Sequence, residues 1–211
     1  MHEASIKHLA RDKHLGAFVK RHGPIVCRRE HSHNVFQALA ESIIYQQLSG
    51  KAAATILKRF VDLFNPDPTS LKLRRARTFP KPEEVLKIKV EKLRGAGLSN
   101  QKANYLKDLA QKCIDGTVSQ KGFAKMTDEE IIVHVTKVKG IGEWTAQMFL
   151  MSTLGRPDVS PTGDLGIQKG FKKLFKLKKL PTPAHMQRLS KNWAGHRTVA
   201  CFYLWRLLDE K

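Results

Sequence analysis

Apolar residues recur at helical spacing along almost the whole of this chain. Phe36, Leu39, Ala40, Ile43, Ile44 and Leu48 fall at i, i+3 and i+4 positions and predict one buried helix face. Ile56, Leu57, Phe60, Val61 and Phe64 repeat the pattern, and Asn65-Pro66-Asp67-Pro68 stops it. The basic stretch Lys72 to Arg77, followed by Pro80-Lys81-Pro82, reads as an exposed connection. A short helix is expected over Glu83 to Leu93, closed by Gly95 and Gly97. Ser99 is placed to cap a helix that buries Ala103, Leu106, Leu109, Ala110 and Cys113 and ends at Gly116. Thr127 and Glu130 have capping-box spacing. Thr145 to Leu154 reads as an apolar helix buried on most sides. Ile167, Phe171, Leu174 and Phe175 mark another helix, and Val199, Phe202, Tyr203, Trp205 and Leu208 mark a last one. With no β alternation and no internal repeat, the pattern predicts an all-α fold of about nine or ten helices.

Composition narrows the partners. The chain has 211 residues, 41% of them hydrophobic, which suffices for one compact unit or two interlocked lobes. Lys and Arg outnumber Asp and Glu by 38 to 19, a formal charge of +19. Such an excess concerns partners rather than fold, and it points first to nucleic acid, where Lys and Arg release counterions from phosphates. Cys27, Cys113 and Cys201 are dispersed and form no C-x-x-C pair, which argues against structural zinc, an iron–sulfur cluster or a disulfide framework. No apolar run is long enough for a transmembrane helix, and Met1-His2-Glu3-Ala4-Ser5 does not open a signal peptide. An intracellular protein without a membrane partner is expected.

Two segments carry candidate chemistry. Val138-Lys139-Gly140-Ile141-Gly142-Glu143-Trp144-Thr145-Ala146 is a glycine turn between two helical segments. Gly140 and Gly142 permit positive φ and close backbone approach, and the turn leads into a helix N-terminus, whose N–H groups attract anions. A phosphate can sit there; a tight helix–helix turn with no ligand has the same local sequence. About twenty residues on, Ser160-Pro161-Thr162-Gly163-Asp164 delivers a carboxylate to the start of the next helix. Asp164 can be a helix cap or an acid beside a reacting sugar. The neighbouring Asp158 reads as a turn residue.

Taken together, these segments resemble the helix–hairpin–helix DNA glycosylase superfamily, and within it the alkylation-repair branch of the 3-methyladenine DNA glycosylase II type. The resemblance runs from about Phe36 to Leu208. It includes Ser42-Ile43-Ile44-Tyr45-Gln46-Gln47-Leu48-Ser49 with Lys51-Ala52-Ala53, the glycine turn, Pro161-Thr162-Gly163-Asp164-Leu165-Gly166, and Trp193-Ala194-Gly195-His196-Arg197 leading to Tyr203-Leu204-Trp205-Arg206. It implies a two-lobed helical fold with the active-site cleft between the lobes. One lobe would be residues 36–154 and contain the hairpin. The other would be discontinuous, residues 1–35 plus 155–211, with Asp164 at the junction.

The implied activity is removal of alkylated purines, of the 3-methyladenine and 7-methylguanine type, from duplex DNA in base excision repair. The enzyme would act as a monomer, in the nucleus of a eukaryote or the cytoplasm and nucleoid of a bacterium. Asp164 falls on the catalytic aspartate. Strand-cleaving members carry a lysine two residues after the second hairpin glycine; Trp144 stands there, which implies a glycosylase without lyase activity. Trp144, Tyr45 and His196 would line the base pocket, where aromatic faces attract electron-poor bases. Lys139, Gly140, Ile141, Gly142 and Thr145 would meet the DNA backbone, together with Gln47, Leu48, Ser49 and Lys51. Leu48 would fill the gap left by the flipped nucleotide. Plain core roles remain open for Tyr45 and Leu48, as does a roleless loop position for His196, and Trp193 and Trp205 read as core. The resemblance implies no required cofactor, and a structural Na+ or K+ held by the carbonyls of Thr136, Val138 and Ile141. A glycosylase for deaminated or mismatched bases and a non-catalytic DNA-binding hairpin module are the alternatives. Gly195-His196 departs from the Pro-aromatic pair of many relatives and bears on substrate range.

Overall fold

A computed structural model describes residues 2–25, 34–64 and 78–210. Cys27, Asn65 to Pro68 and the Lys72 to Arg77 stretch lie outside the described residues. Everything regular among the described residues is helical. The chain divides into two compact units, Ser32–Ala146 and Met1–His31 with Gln147–Lys211.

In the Ser32–Ala146 unit the helices are α3 (Val35–Tyr45), α4 (Gly50–Asp62), α5 (Pro82–Lys87), α6 (Val90–Gly95), α7 (Asn100–Ile114), α8 (Gln120–Phe123) and α9 (Asp128–Val135). α7 is the hub against which α3, α5 and α6 pack. Its apolar stripe Ala103, Leu106, Leu109 and Ala110 is fully buried, as are Leu39, Ile43 and Ile44 of α3. Phe79 sits between Phe36 and Phe60, with ring centroids 5.9 and 5.7 Å away. Each such side chain contributes roughly 1.5–3 kcal/mol when buried. The caps follow the sequence: Ser99 accepts from Lys102 N at 3.1 Å, and Thr127 and Glu130 form a reciprocal capping box.

Three expectations need correction here. The helix expected over Glu83 to Leu93 is two helices, because Ile88 and Lys89 are extended, with ψ of 142° and 143°. α3 ends at Tyr45, so Leu48 lies beyond it, 40% exposed, and the core role left open for Leu48 is excluded. The helix expected over Thr145 to Leu154 begins earlier, as α10 (Glu143–Phe149), and its last turn, Leu150–Leu154, is π-helical. Gly155, at φ 67°, ends it. The division between the two units falls within α10.

The second unit contains α1 (Glu3–Leu9), α2 (Gly16–His22), α11 (Leu165–Leu174), α12 (Pro183–Leu189), a 3-10 turn at Lys191–Trp193, and α13 (Arg197–Asp209). Trp193, Phe171, Tyr203, Leu9 and Leu15 form its core. α11 crosses α13 at close range: a Cβ on Gly170 would stand 2.8 Å from Leu204 Cβ and 3.0 Å from its carbonyl oxygen. Tyr203 donates its hydroxyl to Gly23 O at 2.9 Å, tying α13 to the end of α2. The sequence pattern does not announce the short helices α1, α2, α8 and α12, because one or two turns are too few to display a period.

Candidate active site

Asp164 is built by the loop before it. Thr162 N donates to Ser160 O at 2.9 Å and Asp164 N to Pro161 O at 3.0 Å, folding the Pro/Gly segment into a tight turn. Asp164 is the N-cap of α11, and its Oδ1 accepts from Ile167 N at 2.7 Å. A second donor meets the same oxygen: Trp205 Nε1, at 3.0 Å. Trp205 is thus half-buried on α13 with a polar partner, rather than simply core. The charge of Asp164 is also felt by the buried Cys201 thiol, which burial first, and then this carboxylate, push well above the usual thiol range. Asp158 lies in the turn expected for it. It forms an ion pair with Arg197 Nη1 at 2.7 Å and accepts from Arg197 N, which commits it to the start of α13.

His196 immediately precedes α13. Its Nδ1 bonds Ser5 Oγ at 2.9 Å, and its ring lies 4.3 Å from that of His8, whose Nε2 bonds Asn192 O. Burial first, and then the neighbouring His8, hold the His196 pKa below the ordinary histidine value, with Asp158 opposing.

In the other unit, the segment between α9 and α10 is a hairpin of overlapping short turns: Val138 N donates to Val135 O, and Ile141 N to Val138 O, both at 3.1 Å. Gly140 has φ 82°, and a Cβ on it would fall 2.1 Å from Tyr105 Cδ2. Gly142 does not adopt positive φ, contrary to expectation, and nothing lies within 4 Å of where its Cβ would be. Lys139 N donates to Asp108 Oδ2 at 2.8 Å, and Asp108 also pairs with Lys112 at 2.8 Å. Partial burial alone would raise the Asp108 pKa, but the hydrogen bonds from Lys112 and Lys139 outweigh it, and the net shift is downward.

The segment after α3 is joined to this hairpin. Leu48 N donates to Tyr45 O at 3.3 Å, closing a turn in which Gln46 has φ −52° and ψ 132° and Gln47 has φ 57°. That is the backbone of a type II turn, with glutamine where glycine is favoured. The strain, of order 1–3 kcal/mol, is held by three hydrogen bonds. Gln46 Nε2 donates to Gly140 O at 2.9 Å, and Lys102 Nζ donates to Ile44 O at 2.8 Å and Gln46 O at 2.7 Å. Burial lowers the Lys102 pKa.

Gln47, Ser49, Lys51, Lys139, Gly140 and Gly142 are exposed, as are Tyr45 (40%), Leu48 (40%) and Trp144 (52%). Thr145 is only 7% exposed, and Val138 and Ile141 are buried. Ser49 caps α4 by accepting from Ala52 N at 3.4 Å. The Val138 carbonyl accepts from Ile141 N at 3.1 Å. Among the described residues no three His, Cys, Asp or Glu side chains gather to hold a metal, and no helix is long and apolar enough to cross a membrane.

Sequence reasoning missed Lys102 and Trp205. Lys102 reads as a solvated helix lysine, and Trp205 is hidden among the apolar residues of α13; neither has a local signature.

Residues 40–195 match the family described as HhH-GPD superfamily base excision DNA repair protein. DNA-3-methyladenine glycosylase 1 of Schizosaccharomyces pombe (strain 972 / ATCC 24843) is 36% identical over 172 residues, which cover 81% of this chain and 71% of that protein. YfjP of Bacillus subtilis (strain 168) is 34% identical over 177 residues, 84% of this chain but 60% of its own length. The structure of the fission yeast 3-methyladenine DNA glycosylase Mag1 in complex with abasic DNA superposes with a TM-score of 0.78 and 33% identity, covering 96% of this chain and 95% of that one.

Proposed function

Because the chain belongs to the HhH-GPD superfamily of base excision DNA repair proteins, we propose that it hydrolyses the N-glycosidic bond of alkylated purines in duplex DNA and leaves an abasic site. The observation that carries this reading is the fixed carboxylate of Asp164, held through Oδ1 by Ile167 N and Trp205 Nε1. As the base departs, positive charge builds on the sugar, and a carboxylate already oriented toward C1′ stabilises it without reorganising. The same carboxylate orients the attacking water. No lysine stands at position 144 to attack the sugar as an amine, so strand cleavage is not part of the reaction.

The +19 charge and the Lys139–Gly142 turn bind the phosphate backbone. Leu48, presented by its strained turn, replaces the flipped nucleotide in the stack. Exposed Trp144 and Tyr45 supply aromatic faces for an electron-poor purine, and His196 contributes to its recognition. A Na+ or K+ ion bound by the carbonyls of Thr136, Val138 and Ile141 would bridge the hairpin to a phosphate; no cofactor takes part in the chemistry. The protein works as a monomer inside the cell. The test is release of free methylated purines from methylated duplex DNA. Wild type should release them, and Asp164→Asn should bind the same duplex and release none. Release by both would overturn the role of Asp164, and release by neither would overturn the substrate class.

A further inference from the structure

We propose that Trp205 is a positioning residue for Asp164, and that Gly166 exists at its position to let the indole reach the carboxylate. This rests on Asp164 being the acid of the reaction. Three observations converge. Trp205 Nε1 and Ile167 N donate to the same oxygen, Oδ1, at 3.0 and 2.7 Å. Two donors arriving from different helices fix both the rotation of the side chain and the plane of the carboxylate, which a single capping bond does not. A Cβ on Gly166 would stand 2.9 Å from Asp164 Oδ1 and 2.9 Å from both Cδ1 and Nε1 of Trp205. Any larger residue there pushes the ring off the acid, and an indole is too stiff to yield locally. Third, the ring is not held by packing alone. It touches Phe202, with centroids 5.7 Å apart, but it also borders a cavity of about 410 Å³ shared with His22 and Pro24. With open space on that side, the N–H bond to Asp164 is the polar contact that orients the indole.

Electrostatic stabilisation of a developing cation depends on the charge being aimed in advance, so loosening the carboxylate slows chemistry without weakening DNA binding. Losing a hydrogen bond to a charged group predicts a rate about tenfold to a hundredfold lower.

The experiment replaces Trp205 with 3-benzothienylalanine, which keeps the ring shape and puts sulfur where the N–H was. Single-turnover excision is measured at saturating enzyme on a duplex containing one 7-methylguanine, alongside affinity for an abasic duplex and the melting temperature. The expected result is the slowed excision above with affinity unchanged and a protein that stays fully folded at the assay temperature, and the same signature in Gly166→Ala. Wild-type excision by the benzothienyl protein overturns the proposal, as does a slowing matched by lost affinity or by unfolding at the assay temperature. Asp164→Asn is run in parallel. If it excises at the wild-type rate, the reading of Asp164 itself fails; if it is inactive while the benzothienyl protein is unimpaired, only the role of Trp205 fails.

Discussion

The two hairpin glycines should separate folding from DNA binding, because the structure asks different things of them. Gly140→Ala forces an L-residue to φ 82°, which costs about 1–2 kcal/mol. It also places a methyl 2.1, 2.2 and 2.6 Å from three ring atoms of Tyr105. The ring must move, at an overpacking cost of about 1–3 kcal/mol. The sum is about 2–5 kcal/mol, or a fall in melting temperature of roughly 4–20 °C for a protein of this size. Adding Tyr105→Ala removes the clash but not the backbone strain, so the further cost of Gly140→Ala in that background should shrink to about 1–2 kcal/mol. Gly142→Ala meets neither obstacle: no neighbour lies within 4 Å and φ is not positive. It should leave stability unchanged or raise it by about 0.4–1 kcal/mol. If a phosphate approaches the backbone there, however, the methyl stands in its path. Affinity for a short duplex at fixed salt should then fall about tenfold in a protein that melts normally. Thermal and urea denaturation and fluorescence anisotropy on wild type and the four variants decide the matter. A Gly140→Ala protein that melts within about 2 °C of wild type would refute the packing argument, and a Gly142→Ala protein with undiminished affinity would refute the phosphate site.

Lys102→Met keeps the aliphatic stem but removes both bonds to the end of α3, and since burial of the ammonium offsets part of their strength, the expected loss is about 1–2 kcal/mol in urea. Affinity for an abasic duplex should drop more than affinity for undamaged duplex, because the turn presenting Leu48 loses its support; equal losses on both would disprove that link. For His196, the folded pKa lies below the unfolded value, so the unfolded chain binds more protons. Its stabilising contribution is present above about pH 6.5 and is lost as pH falls toward the folded pKa. Wild type should therefore lose more stability than His196→Gln between pH 8 and pH 5, read from melting temperatures, and parallel pH curves would contradict this.

What was legible in the sequence was whatever depends on neighbours in the chain. Ser99, Thr127 with Glu130, and the Pro/Gly turn before Asp164 are local devices, and each appears where its spacing put it. The face of α3 was legible because it spans three turns. The break at Ile88–Lys89 was not, since two short helices in succession keep a nearly helical period. Nor was the π-helical turn after Phe149, which inserts into an apolar run without altering its composition. The bonds from Trp205 to Asp164 and from Lys102 to Gln46 join residues 41 and 56 positions apart. Tertiary packing decides such pairs, and no local propensity announces them.

The two glycines of α11 have a consequence for how the protein is made. Gly166 and Gly170 lie one helical turn apart, and each costs the helix about 1 kcal/mol relative to alanine. A ten-residue helix carrying that burden has almost no tendency to form alone. It forms by docking on α13, where Gly170 meets Leu204 and Gly166 admits Trp205. During synthesis, α11 leaves the ribosome well before α13. Until α13 emerges, Asp164 lacks the donor that Trp205 supplies in the folded protein.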